Sequence, residues 1–247
     1  RVLVAEDNEV NAFVAVRMLE ALGHSCEVAG DGARAVAALE SGNCDVVLMD
    51  IQMPGMDGLE AMRRIRARER ERGTGRTRIV ALTASAAKED AERCRMAGAD
   101  AFLGKPFEPQ ALREALAGGL DREPPGPSPA APRAAVLDLA RLVSRLGDDP
   151  EGAALLLREF DAKAADSLAR VRGAVQTGDP RAVEQAAHKF RGALAWITAD
   201  GAAQAASRLE KLGASGDLSG AAAAVEDLER GVRAVREEIL RDAPRRA

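Results

Sequence analysis

The first 120 residues alternate short apolar runs with longer amphipathic stretches, and this alternation occurs five times. The predicted strands are Val2–Ala5, Cys26–Ala29, Asp45–Met49, Ile79–Leu82 and Ala101–Leu103. The runs at 46–49 and 79–82 are continuously apolar, which is typical of strands that are covered on both faces. Five strand–helix repeats predict an α/β, doubly wound, five-stranded parallel sheet with helices on both faces.

A proline-rich segment at 121–134 separates this part of the chain from the rest. It holds five of the 11 prolines, so we predict a semi-rigid linker between a domain at 1–120 and a second domain at 135–241. Residues 135–241 have helical periodicity and no strand pattern, and Asp149-Pro150 and Asp179-Pro180 are typical helix starts. We predict one short helix and four longer ones in an all-α antiparallel bundle.

Composition and charge narrow the classes of function. The net charge of -4 argues against nucleic acid as a partner, because nucleic-acid binding favours a concentrated basic patch. No apolar run approaches the roughly 20 residues that cross a bilayer, so we expect no membrane contact by this part of the protein. Cys26, Cys44 and Cys94 fit neither a disulfide framework nor a zinc site, so we expect reduced thiols and a cytoplasmic location. The chain begins with Arg1, and we expect it to be part of a longer protein that carries any membrane anchor. The charged run Arg66–Arg76 is expected to be a solvated helix end and loop.

Acidic residues follow the first and third predicted strands. They are Glu6, Asp7, Asp50 and, in the loop after the third strand, Asp57. Right-handed crossovers place these two strands side by side, so Glu6, Asp7 and Asp50 should converge at one sheet edge. Three carboxylates repel one another unless a cation intervenes, and hard oxygen ligands suit Mg²⁺. Thr83 and Lys105, at the ends of the fourth and fifth strands, add a hydroxyl and an ammonium. A carboxylate beside Mg²⁺ can attack a phosphoryl phosphorus.

Four segments at these strand ends resemble the response-regulator receiver family, which has a flavodoxin-like fold. They are AEDN at 5–8, LMDIQMPGMDG at 48–58, ALTA at 81–84 and GKPF at 104–107. The resemblance covers residues 1 to about 120. It implies that Asp50 becomes an acyl phosphate and that Glu6, Asp7, Asp50 and the backbone carbonyl of Gln52 hold Mg²⁺. It also implies that Lys105 pairs with the phosphate.

The same resemblance implies a conformational response. Thr83 would turn toward the bound phosphoryl group, and Phe102 would follow inward as the switch aromatic. A strand aromatic is also a common core residue, so both interpretations of Phe102 are kept. A cis peptide bond before Pro106 is a further feature of the family.

One histidine lies in the helical part of the chain. The apolar positions of its helix form one stripe, made of Val183, Ala187, Phe190, Leu194 and Ile197. At about 100° per residue, His188 points roughly 140° away from this stripe and is predicted to be exposed. Arg191 lies near the same face and could neutralise a phosphate. An exposed neutral imidazole is a competent phosphoryl acceptor.

The segment AAHKFRGALAWITADGAAQAASRLE at 186–210 resembles the histidine phosphotransfer (HPt) family. Arg191 replaces the family's usual lysine, and Thr198 stands where glycine is common. Trp196 is unusual, and both a core position and a docking surface are open to it. A receiver, a linker and an HPt domain in this order resemble the C-terminal part of a hybrid sensor histidine kinase. The implied function is a phosphorelay module that exchanges a phosphoryl group between Asp50 and His188. Its implied partners are an upstream kinase domain of the parent chain and a downstream response-regulator receiver.

Three other functions are weighed against this one. A haloacid-dehalogenase-like phosphatase needs a second aspartate two residues after the nucleophile, where this chain has Gln52. An autophosphorylating kinase site needs an acidic residue after the histidine, where Lys189 stands, and no glycine-rich ATP-binding segment follows, so we expect no ATP hydrolysis. A scaffold whose bundle only docks a partner predicts that His188 is never labelled. Whether the chain counts as an enzyme stays open.

Overall fold

The computed structural model of the chain describes residues 1–40, 44–73, 75–83, 88–118 and 136–242. The chain divides into two compact units, Arg1–Ala131 and Pro132–Ala247. The segment predicted as a linker, 121–134, lies outside the described residues, so its extended form stays a prediction.

The first unit is a five-stranded parallel sheet with the strand order β2-β1-β3-β4-β5. Its strands are β1 (Val2–Ala5), β2 (Cys26–Ala29), β3 (Val46–Asp50), β4 (Arg78–Thr83) and β5 (Ala101–Gly104). The helices between and after them are α1 (Glu9–Ala21), α2 (Gly32–Glu40), α3 (Gly58–Arg72), α4 (Lys88–Ala97) and α5 (Pro109–Leu116). The predicted α/β fold class is confirmed for this unit.

The pairing of β1 with β3 positions the acidic residues. Ala5 is the register partner of Met49, so the residues that follow both strands emerge at the same edge of the sheet. Both strands are buried along most of their length, because helices cover the two faces of the sheet. Asp57 has a different role: its side chain accepts a hydrogen bond from the Glu60 backbone N–H and caps α3.

The charged run 66–76 differs from the prediction at Arg66, which is only 5% exposed. Its guanidinium donates to the backbone oxygens of Gly98 and Thr77 and pairs with Glu69 and Asp100. Arg66 and Ile65 are both buried residues of α3. Carbonyl and carboxylate oxygens replace water around the guanidinium, which makes this burial possible.

The second unit consists of helices in the described range 136–242. The short helix is α6 (Leu139–Arg145), and the longer ones are α7 (Pro150–Thr177), α8 (Pro180–Trp196), α9 (Asp200–Ser215) and α10 (Ala221–Asp242). Asp149 and Asp179 cap α7 and α8 through their side chains, as predicted. One short and four longer helices confirm the predicted all-α bundle. Of the described helices, none is long and apolar enough to cross a membrane.

The turn from α8 to α9 carries the two unusual residues of the sequence. Trp196 is buried, which makes it a core residue, and the guanidinium of Arg145 lies 5.5 Å from the centre of its ring. Thr198 is buried with φ of 63°, a left-handed conformation in which a β-branched residue is rare. This explains why glycine, which adopts positive φ without strain, is common at this position of the turn.

Candidate functional site

Three carboxylates meet beyond the carboxyl ends of β1 and β3. The residues are Glu6, Asp7 and Asp50, and one oxygen of each lies within 4.8 Å of those of the other two. Glu6 and Asp50 are buried, and Asp7 is half-buried. We call these three side chains the carboxylate cluster. The structure thus brings together the acidic residues that the sequence predicted to converge.

Lys105 enters the carboxylate cluster from the end of β5. Its Nζ lies 2.5 Å from Glu6 Oε2 and 2.7 Å from Asp50 Oδ2. Burial by itself would lower the pKa of Lys105, but the two adjacent carboxylates raise it above its ordinary value. The ammonium is therefore permanently charged. The peptide bond between Lys105 and Pro106 is cis, as the resemblance to the receiver family implied.

The single ammonium of Lys105 cannot neutralise three carboxylates, and the pKa of Glu6 reflects this excess of negative charge. Burial and the nearby charge of Asp50 raise the pKa of Glu6 to about 7, although Lys105 and the Asn11 side chain oppose the rise. A cation placed among these oxygens would relieve the repulsion. Carboxylate oxygens are hard ligands of the kind that Mg²⁺ binds, so the residues present fit this metal.

The backbone around Asp50 is closely packed. The Gln52 N–H donates to Asp50 Oδ1 at 3.2 Å, while the Gln52 carbonyl stays a predicted metal ligand. At Gly58, an added Cβ would lie 2.0 Å from the Asp50 carbonyl oxygen, so only glycine fits. Thr83 ends β4 next to Asp50, since Leu82 is the register partner of Asp50.

Phe102 occupies an inward position on β5. It is 4% exposed and packs in the core with Cys94 and Ala97, while the Arg95 guanidinium lies 5.4 Å from the ring centre. Its buried position fits the core interpretation, and its role as a switch aromatic stays a prediction.

The second candidate site lies on α8 and α9. His188 Nδ1 is 2.6 Å from Glu210 Oε1, and Arg191 Nε donates to Glu210 Oε2 at 2.6 Å. The side chain of His188 is 18% exposed, so the prediction of an exposed imidazole is corrected to a half-buried one. The rotation per residue along α8 correctly predicted that the ring lies outside the apolar stripe. The neighbouring helix α9, however, covers one edge of the ring.

Glu210 fixes the tautomer of His188. Burial would raise the pKa of Glu210, but the hydrogen bond to His188 and the charge of Arg191 lower it below its ordinary value. An ionised carboxylate only accepts hydrogen bonds, so Nδ1 must carry the proton, and in the neutral ring Nε2 then keeps its lone pair. Within the described residues, no side chain or backbone group hydrogen-bonds to Nε2.

Glu210 was not among the residues predicted from the sequence, although its position carries a signal. Ala199 lies in the turn between α8 and α9, and His188 and Glu210 are each 11 residues away from it (199 − 188 and 210 − 199). Two helices that pair as a hairpin bring such equidistant positions next to each other. A search for polar residues opposite His188 would therefore have found this carboxylate.

Known families and proteins match both parts of the chain. Residues 2–117 match the profile of the response regulator receiver domain, and residues 155–238 match that of the Hpt domain. The virulence sensor protein BvgS of Bordetella bronchiseptica is 33% identical over 222 residues, which cover 85% of this chain and 18% of that protein. Histidine kinase 5 of Arabidopsis thaliana is 37% identical over 139 residues, which cover 47% of this chain and 15% of that protein. The chain thus spans less than a fifth of the length of these two relatives.

Two solved structures resemble this chain over about half of its length. The receiver domain of the sensor histidine kinase PA1611 of Pseudomonas aeruginosa, which has a magnesium ion in its active-site cleft, is 42% identical with a TM-score of 0.43. It covers 47% of this chain and 92% of that one. The complex of Saccharomyces cerevisiae Ypd1, a histidine phosphotransfer protein, with the Ssk1 receiver contains a chain that is 32% identical, with a TM-score of 0.44. That match covers 46% of this chain and 83% of the other.

The matched ranges fall on the two described units, the carboxylate cluster lying in the first and His188 in the second. The chain therefore belongs to the two-component signalling proteins, with a response regulator receiver domain at residues 2–117 followed by an Hpt domain at residues 155–238.

Proposed function

We propose that this chain is a phosphorelay module in which Asp50 accepts a phosphoryl group in a Mg²⁺-dependent reaction and exchanges it with His188. The observation that carries the proposal is the occurrence, in one chain, of two complementary sites. Asp50 lies among carboxylates beside a permanently charged ammonium, and His188 is held with its Nε2 lone pair unused. Each group is a competent phosphoryl acceptor.

The exchange step needs no proton transfer. When Nε2 of His188 attacks the acyl phosphate, the N–P bond forms and the bond from phosphorus to the Asp50 oxygen breaks. The electron pair of that bond stays on the Asp50 carboxylate. The ring keeps its proton on Nδ1 and gains a positive charge, which the Glu210 carboxylate at 2.6 Å neutralises. The reverse step returns the phosphoryl group to Asp50.

The carboxylate cluster would supply the groups that neutralise the charge of the phosphoryl group on Asp50. Mg²⁺ held by Glu6, Asp7, Asp50 and the Gln52 carbonyl would neutralise the equatorial oxygens of the phosphoryl group. Lys105 lies beside Asp50 Oδ2 and pairs with a phosphoryl oxygen once the acyl phosphate has formed. Thr83 donates its hydroxyl to the same group from the end of β4.

The proposed partners follow from the domain order and from the names of the relatives. An upstream histidine kinase domain of the parent protein would phosphorylate Asp50, and a downstream receiver would accept the group from His188. The proposal includes a cytoplasmic location for these two domains, with any membrane anchor in another part of a longer parent chain. A phosphatase or a docking scaffold receives less support, because Gln52 lacks the acid–base carboxyl group and Glu210 prepares an imidazole that a scaffold would not need.

A phosphotransfer assay on the full chain tests the proposal. With Mg²⁺ and labelled acetyl phosphate, we expect label first on Asp50 as an alkali-labile acyl phosphate and then on His188 as an acid-labile phosphoimidazole. Asp50→Asn should abolish both signals, and His188→Gln only the second. His24→Gln is the matched control and should keep both, since His24 lies in the receiver away from the carboxylate cluster. Labelling of Asp50 without any transfer to His188 or to a purified receiver would favour the scaffold.

A further inference from the structure

Arg191 already has a partner in the HPt domain. Its Nε donates to Glu210 Oε2 at 2.6 Å, and its Nη2 lies 3.5 Å from Glu210 Oε1. The planar guanidinium therefore faces both oxygens of one carboxylate, an arrangement that a lysine ammonium cannot reproduce. From the sequence, Arg191 was predicted to neutralise a phosphate. In the structure, its partner is instead the Glu210 carboxylate.

Glu210 stands between Arg191 and the imidazole. Arg191 and His188 are three residues apart on α8, so they project from the same side of the helix, and Glu210 reaches them from α9. The same carboxylate accepts the hydrogen bond of Nδ1–H through Oε1 and that of the Arg191 Nε–H through Oε2. The side chains of all three residues are about one-fifth exposed, at 18% for His188, 19% for Arg191 and 22% for Glu210.

Direct contact between the arginine and the imidazole adds little. Arg191 Nη2 lies 3.4 Å from His188 Nδ1, but a nitrogen that carries a proton has no lone pair to accept a hydrogen bond. The guanidinium also lies at the Nδ1 edge of the ring, whereas the lone pair of Nε2 points away from that edge. Arg191 in this position can influence the imidazole only through the carboxylate.

We propose that Arg191 is a positioning residue that fixes the Glu210 carboxylate against Nδ1 of His188, so that the ring presents an unprotonated Nε2, and that it is not the ligand of the phosphoryl group. The kinetic consequence rests on the proposed function, but the positioning of the ring does not. This role gives a physical reason for arginine in place of the family's usual lysine, since only the guanidinium can contact both oxygens of the Glu210 carboxylate.

The tautomer of His188 provides a direct test that needs no phosphorylation. The chain has two histidines, so a His24→Gln background leaves a single imidazole for ¹⁵N NMR in the full chain. Above the pKa of the ring we expect a protonated Nδ1 and an unprotonated Nε2. Arg191→Lys and Arg191→Gln should shift the population toward the Nε2-protonated form that imidazoles favour in water. Arg172→Lys, which alters another interhelical arginine–glutamate pair, between α7 and α10, should leave the spectrum unchanged.

A double-mutant cycle on the transfer rate tests whether Arg191 acts through Glu210. We expect Arg191→Gln and Glu210→Gln each to slow transfer to His188 on the order of tenfold, as loss of a group that orients a histidine does. The double variant should be no slower than Glu210→Gln alone. A ligand of the phosphoryl group would instead give multiplied losses in the double variant.

The outcomes separate this inference from the proposed function. An unchanged tautomer in both Arg191 variants, or multiplied rate losses, would overturn the positioning role. A shifted tautomer in a chain that shows no labelling at His188 would support the positioning role and remove the proposed function. If Arg191→Lys kept the wild-type tautomer, contact with both carboxylate oxygens would not be required.

Discussion

Thr198 shows how a single residue can combine strain with compensation. Its φ of 63° is costly for a β-branched side chain, by about 1–2 kcal/mol. Its hydroxyl, however, accepts from the Asp138 backbone N–H at 3.2 Å and donates to the Asp138 carbonyl at 2.8 Å. The residue thereby ties the start of α6 to the turn that follows the histidine helix α8.

This balance between strain and hydrogen bonding predicts that a glycine variant of Thr198 is more stable than a valine variant. Thr198→Val keeps the strain and leaves the Asp138 backbone groups unpaired, so we expect it to lower the free energy of unfolding by about 2 kcal/mol. Thr198→Gly loses the same hydrogen bonds but releases the strain, and should cost under about 1 kcal/mol. Urea unfolding can be followed by the fluorescence of Trp196, the chain's one tryptophan. A glycine variant less stable than the valine variant would show that the turn is not strained.

Lys105 pairs with Glu6 and Asp50, two of the carboxylates proposed to hold Mg²⁺, and would compete with that ion for them. Lys105→Met should therefore raise the affinity for Mg²⁺ by roughly tenfold, equivalent to about 1.4 kcal/mol, while it slows phosphorylation of Asp50. Isothermal titration with Mg²⁺ and labelling with acetyl phosphate measure the two effects separately. Lys163→Met, at a half-buried lysine of α7 in the other unit, serves as the matched control and should change neither. Weaker Mg²⁺ binding in Lys105→Met would mean that the ammonium organises the carboxylates instead of competing for them.

At the scale of elements, the Arg66 network joins α3 to the sheet. Asp100, just before β5, accepts from Arg66, from Arg76 and from the backbone N–H of Ile79 in β4. Although partial burial would raise the pKa of Asp100, the Ile79 N–H and the two arginines lower it below its ordinary value of 3.8. The ionised form is therefore the one that stabilises the fold.

A pH-dependent stability difference follows from this shift. Because the pKa is lower in the folded chain, Asp100 contributes stability above its unfolded pKa and loses it as the pH falls through the folded one. Asp100→Asn should cost about 3 kcal/mol at pH 7, since it leaves Arg66 buried with one carboxylate fewer, and the difference from wild type should shrink below about pH 4.

Urea unfolding monitored by circular dichroism at pH 7 and pH 3.5 measures this difference, while Trp196 fluorescence follows the HPt domain separately. Asp90→Asn, which breaks the exposed pair with Arg93 on α4, is the control and should cost less than about 1 kcal/mol at either pH. An equal cost of Asp100→Asn at both pH values would show that its charge does not carry the effect.

At the scale of the whole molecule, the semi-rigid linker predicted at 121–134 would keep the two sites within one chain of each other. A short connection that lets two sites meet gives an effective concentration on the order of millimolar. We therefore expect the rate of transfer from Asp50 to His188 in the intact chain to be independent of protein concentration in the micromolar range.

A mixture of two defective chains provides the comparison. His188→Gln chains, labelled at Asp50, should pass the group to Asp50→Asn chains at a rate proportional to the concentration of the acceptor. A rate in the intact chain that also rises in proportion to its concentration would show that transfer occurs between chains. The single-turnover rate, measured over a hundredfold dilution, decides between the two.

Much of this molecule could be predicted from local patterns. Apolar runs and helix starts predicted both fold classes, and the rule that parallel strands end at one edge brought Glu6, Asp7 and Asp50 together. The helical angle placed His188 outside the apolar stripe of α8. These predictions succeeded because they rest on backbone periodicity, which each segment carries in itself.

The sequence by itself determined the two domains, the carboxylate cluster and the helix that carries His188. The contacts around these groups are visible only in the folded chain: Glu210 lies against Nδ1 of His188, Arg191 pairs with Glu210, Arg66 is buried within a charged run that was predicted to be solvated, and Phe102 lies in the core. The physical reason is that solvation and charge pairing depend on neighbours distant in the chain. A periodic pattern gives the direction in which a side chain points, but not the group that it meets there.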